Sequence, residues 1–94
     1  MNSVSIDSLR DKIDSLDRQL LELLNERAKL ANQIGIIKKK NNLPIYMPNR
    51  EAEVMRNVMS NNKGPLSEAA VRRLFERIID EIRRLERESS ETAD

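Results

Sequence analysis

The chain has 94 residues, 17 Lys or Arg against 16 Asp or Glu for a net charge of +1, and no Cys, His or Trp. That inventory excludes a disulfide scaffold, a thiol nucleophile, a Cys/His zinc site and a histidine-based triad, and leaves proton shuttling near neutral pH to shifted carboxylates or lysines. The length predicts one small domain, 1–94, and with 38% hydrophobic residues and only Tyr46 and Phe75 as aromatics its own core would be thin, so a partner chain is expected.

Everything periodic in the chain has a helical period, so the expected fold class is all-α, with one long and two shorter helices. In the first segment apolar residues fall at Leu9, Ile13, Leu16, Leu20, Leu23, Leu30, Ile34 and Ile37. Steps of four and three make an amphipathic helix with a coiled-coil-like seam. Ser5 or Asp7 can cap its start, and it should run over 6–40, roughly 50 Å at 1.5 Å per residue. So long a seam needs other helices to cover it. Asn41-Asn42-Leu43-Pro44 then breaks the chain. The second helix is expected over 48–60, opened by Pro48 at a first-turn position, with Ala52, Met55, Val58 and Met59 as its apolar face. Asn61-Asn62-Lys63-Gly64-Pro65 forms the second break, and Ser67 is the expected N-cap of a third helix over 67–88. Its apolar line is Val71, Leu74, Phe75, Ile78, Ile79, Ile82 and Leu85, and residues 89–94 are expected to be a frayed or disordered tail.

The seam of the first helix breaks at Arg27, where the register calls for an apolar residue. Taken alone, such an arginine reads as a structural ion pair or a snorkelling side chain, because an unpaired buried charge is costly. Lys38 adds a second cation: eleven residues are about three turns, which puts it within ~20° of Arg27 and ~16 Å further along the same face. Ala31 and Gly35 make part of that wall small. Two cations flanking a shallow hollow suit a small anion, whereas Lys39 and Lys40 are explained by the helix macrodipole. Arg10 lies about 25 Å before Arg27 and roughly 100° around the helix, so it joins such a pocket only from another chain. Glu86 continues the line of Phe75, Ile79 and Ile82. Either the helix simply reaches solvent there, or desolvation makes a protonated, hydrogen-bond-donating form accessible. Arg50 and Glu51 read as ordinary helix-start charges.

Together these stretches resemble the all-helical chorismate mutase family, the bacterial AroQ class. The residues that carry the likeness are Leu9-Arg10-x-x-Ile13-Asp14-x-x-Asp17, Leu20-Leu21-x-Leu23-Leu24-x-x-Arg27 and Ile34-Gly35-x-x-Lys38, followed by Pro44-Ile45-Tyr46-x-Pro48-x-Arg50-Glu51, Asn62-x-Gly64-Pro65-Leu66, Leu74-Phe75-x-x-Ile78-Ile79 and Leu85-Glu86. The resemblance implies three helices per chain, an intertwined homodimer, and two active sites shared between the chains. It further implies rearrangement of chorismate to prephenate, a concerted pericyclic step with no cofactor and no metal. Arg10 of one chain would join Arg27 of the other in holding the substrate carboxylates. Lys38 would bind a carboxylate and the ether oxygen, and Glu86 would donate a hydrogen bond to that oxygen. Arg50 would support the site electrostatically, and Glu51 would accept the substrate's ring hydroxyl. The chain departs from the family at two substrate-facing positions. Met47 stands where an Asp is common, so no side-chain contact to the substrate hydroxyl is implied there, while its backbone could still line the pocket; Ile82 stands where some members place a Ser near a carboxylate.

Two other readings are compatible with the residues. An isochorismate-pyruvate lyase uses the same fold and a similar cationic pocket, although Gly35-x-x-Lys38 and the Pro44-to-Glu51 stretch look more like the mutases. A non-catalytic helical interaction module would gain nothing obvious from Arg27 in its seam. Nearly cancelling charges argue against nucleic-acid or membrane-surface partners, and no run approaches the ~20 apolar residues that a membrane span needs. Met1-Asn2-Ser3-Val4-Ser5 lacks the basic and apolar regions of a signal peptide, so the expected compartment is the cytoplasm.

Overall fold

The computed structural model describes residues 5–92, and side chains through residue 88. The described residues form three helices and no strand: α1 over Ile6–Lys40, α2 over Pro48–Asn61 and α3 over Glu68–Thr92. They divide into two compact units, one ending at Leu30 and one beginning at Ala31, and α1 runs through both.

The starts of the helices and the end of α1 have local chemical causes. Ser5 is the cap of α1: its Oγ accepts the Ser8 amide at 3.0 Å, while the Ser8 hydroxyl donates back to the Ser5 carbonyl at 3.0 Å. Asp7 is left to favour the positive helix end from the first turn. At the other end Asn42 takes φ +56°, the Leu43 amide donates to the Lys38 carbonyl at 2.8 Å, and the Asn42 amide to the Lys39 carbonyl at 3.2 Å. This is a Schellman stop, with Asn in the left-handed position usually taken by Gly. α2 opens on Pro48 with Met47 as a cap residue that makes no side-chain bond. The loop that follows α2 is tied by Asn62, whose Nδ2 donates to the Leu66 carbonyl and whose Oδ1 accepts the Gly64 amide. Gly64 sits at φ +76°, a conformation that a side chain resists.

Ser67 caps α3, its Oγ accepting the Ala70 amide at 3.1 Å. Ser67→Ala should cost about 1 kcal/mol of stability, read as a lower midpoint in thermal or denaturant unfolding with no loss of helical content at low temperature. One expectation is corrected here. The helix does not stop near 88 but continues to Thr92, and the last two residues of the expected tail lie outside the described residues. The stretch from Glu88 to Thr92 contains neither Gly nor Pro, the residues that most readily interrupt a run of helical hydrogen bonds.

Burial follows the helical periods unevenly. In the second unit α2 and α3 pack together, with Met55, Val58 and Met59 half-buried on one side and Phe75, Ile78, Ile79 and Ile82 on the other. Val71 is buried, as are Ala31 and Gly35 on the last part of α1. Along the first unit the seam is open: Ile13 is 54% exposed, Leu16 60% and Leu23 62%. A helix buries an apolar stripe only against another element, and among the described residues this stripe stays exposed.

Candidate active site

A closely built part of the second unit lies where the last turns of α1 meet the far half of α3. Its floor is Gly35. A Cβ there would stand 3.3 Å from the Cα, the Cβ and the carbonyl oxygen of Glu86. Any larger residue would press on α3 backbone, so the missing side chain is what lets the two helices approach. One turn further along α1, Lys38 reaches across this contact. Its Nζ donates to Glu86 Oε2 at 3.0 Å and to the Ile45 carbonyl at 3.0 Å. Both side chains are nearly closed off from solvent, 12% exposed for Lys38 and 11% for Glu86. An ammonium has three N–H donors, so one remains for another acceptor.

The glutamate, expected to donate a hydrogen bond, here accepts one from Lys38. The two groups expected to meet one oxygen of a substrate instead face each other, close enough that a small group could meet both. Ile82 lies one turn before Glu86 on α3, half-buried on the same side of the helix.

A second cluster sits at the start of α2. Glu51 is bound by the Arg83 guanidinium in a fork: Nε donates to Oε2 at 3.0 Å, and a terminal nitrogen donates to Oε1. The same guanidinium lies over the Tyr46 ring, 4.7 Å from its centroid, and 3.6 Å from Asp80. The hydrogen bond to Glu51 raises the Arg83 pKa, against the pull of burial, and the charges of Glu51 and Asp80 add to it. Arg83 therefore joins α2, α3 and the 41–47 connection. Arg50, by contrast, pairs with Glu53 on the exposed face of α2. Met47 is 37% exposed and, with Pro44, Tyr46 and Pro48, lines an apolar hollow beside it. Arg10 (exposed) and Arg27 (half-buried) belong to the first unit.

A family model described as chorismate mutase type II matches residues 9–87. The chain belongs to that family. Among curated relatives it is 43% identical over 83 residues to the bifunctional chorismate mutase/prephenate dehydratase of Aquifex aeolicus, covering 84% of this chain and 23% of that protein. It is 42% identical over 89 residues to the protein of the same description from Neisseria gonorrhoeae, covering 90% and 24%. The chain thus spans about a quarter of the length of the curated relatives it matches. Among solved structures, form II of the chorismate mutase from Thermus thermophilus superposes with a TM-score of 0.86 at 35% identity, over 87% of this chain and 93% of that one.

Within this chain, the sequence picks out Lys38, Gly35 and Glu86 and, through the resemblance, Glu51, but not that Lys38 pairs with Glu86, and it passes over Arg83. Arg83 shares its stretch with other cations, Arg84 and Arg87. Its partner Glu51 is 32 positions away, and no local spacing distinguishes the arginine that turns inward. The one available signal is its place next to Ile82, at the border of the apolar line. No helix among the described residues is long and apolar enough to cross a membrane.

Proposed function

We propose that this chain catalyses the rearrangement of chorismate to prephenate. The observation that carries the reading, beside family membership, is the enclosed Lys38 on its Gly35 floor, held at 3.0 Å to Glu86 with a donor to spare. A pericyclic rearrangement needs no nucleophile. It needs the flexible substrate held in a compact, chair-like shape, and a fixed donor where negative charge grows as the ether bond breaks. Lys38 supplies that donor. Because Lys38 is preorganised by the Ile45 carbonyl and by Glu86, its help grows with the charge on the ether oxygen and favours the transition state over the ground state.

Arg27, and Arg10 from a second chain, would hold the substrate carboxylates through planar, permanently charged forks. The homodimer this requires is supported by the open seam of Ile13, Leu16 and Leu23, which would become buried between two α1 helices. Glu51 would accept the ring hydroxyl, and Arg50 would add positive potential from the rim. Met47 contributes backbone and an apolar wall, and Ile82 shape rather than a polar contact. The whole of 1–94 would act as one catalytic domain, in the cytoplasm, with no nucleic-acid or membrane partner. The direct experiment follows the loss of chorismate's diene absorbance with purified protein and identifies prephenate as the product. A parallel assay with isochorismate, scored for pyruvate, tests the lyase alternative. Pyruvate without prephenate would overturn the proposal.

The role of Glu86 at the ether oxygen can be read from two substitutions. Glu86→Gln keeps the length of the side chain and always carries donors, so it should keep or raise turnover, whereas Glu86→Leu should lower it. Equal turnover in the two variants removes a polar role from Glu86.

A further inference from the structure

We propose that Arg83 is a positioning residue for substrate recognition, acting through Glu51. The inference rests on the functional reading above, in which Glu51 accepts the ring hydroxyl of a substrate carrying two carboxylates. That role poses an electrostatic problem. A carboxylate next to a dianion repels it, at a cost that grows as water is excluded. Arg83 removes the difficulty from behind. Its fork engages both Glu51 oxygens, cancelling most of the charge while leaving acceptor positions open, since an ionised carboxylate offers about four.

The fork also fixes geometry. Arg83 and Glu51 are each 26% exposed, so the pair is partly withdrawn from water, where charge-assisted bonds are stronger and more directional. The guanidinium is held by the Tyr46 ring on the 41–47 connection and by Asp80 on its own helix. The same connection supplies the Ile45 carbonyl that binds Lys38. One arginine thus links the orientation of Glu51 to the segment next to Lys38, and neither side chain of the pair can turn without breaking the fork.

The test is a double-mutant cycle on the full chain with chorismate as substrate. Arg83→Gln should raise KM about tenfold, with a smaller change in kcat, as expected when a binding contact is lost. In a Glu51→Gln background there is no charge to neutralise, so adding Arg83→Gln should change KM less than about twofold. Arg83→Lys, which keeps the charge but not the fork, should fall between wild type and Arg83→Gln. Thermal unfolding of each variant separates this from a loss of folded protein, which would lower the amount of active enzyme without moving KM. Additive effects of the two substitutions, or a KM unmoved by Arg83→Gln, would overturn the proposal alone. A wild-type chain inert toward chorismate would overturn the functional reading, and this proposal with it.

Discussion

Lys38→Met is expected to lower kcat/KM for chorismate by about 10²- to 10³-fold, the usual cost of removing one preorganised donor from a developing oxyanion. The same change should destabilise the chain. Lys38 is the cation that Glu86 meets at 3.0 Å, and Glu86 is buried. Removing one partner of a buried pair strands the other charge, at about 3–5 kcal/mol. The two consequences can be separated by a second substitution. Lys38→Met with Glu86→Leu removes both charges and replaces them with side chains of similar length, a change that is often neutral for stability. The double variant should therefore regain most of the lost unfolding midpoint and none of the lost turnover. Steady-state kinetics beside thermal unfolding reads both. Turnover that returns with stability would mean that the pair is structural and that the chemistry lies elsewhere.

Mixing two inactive chains should produce an active enzyme. Arg10→Ala and Lys38→Met are each expected to abolish nearly all turnover when alone. If every site takes Arg10 from one chain and Lys38 from the other, a heterodimer of the two variants has one site with both defects and one with neither. Random exchange makes half of the dimers heterodimers, so an equal mixture should recover about a quarter of wild-type activity. The large size of this change, from near zero, makes it decisive. Arg10 is exposed on α1, as a residue reserved for a second chain would be. Recovery should follow the time course of subunit exchange measured by native mass spectrometry. Heterodimers seen by mass with no recovered turnover would exclude a shared site.

Much of the local architecture is legible without a structure, because its causes are local. The stop after Lys40 follows from Asn42, one of the few residue types that tolerate a positive φ, and the start of α3 follows from a Ser whose hydroxyl reaches the Ala70 amide. Pro48 opens α2 for an equally local reason. The end of α3 is different. A polar, charged run resembles a tail in composition, but Glu, Arg and Ser are tolerated inside a helix, and the run lacks the Gly, Pro or Asn that ends helices readily. The seam residues of α1 are also legible as a stripe, and their exposure in the single chain is what an unpartnered stripe must show.

What the sequence determined by itself was the helical period, the breaks between helices, and the odd placement of Arg27, Gly35, Lys38 and Glu86 on otherwise regular faces. Periodicity assigns a residue to a face of its own helix. It says nothing about which residue on another helix will stand opposite. Only the tertiary structure decided that Lys38 meets Glu86 across 48 positions and that Glu51 is bound by Arg83 across 32. The physical reason lies in the contacts themselves. The absent Cβ of Gly35 sets how closely α1 approaches α3, and that approach selects which charges come within hydrogen-bond reach.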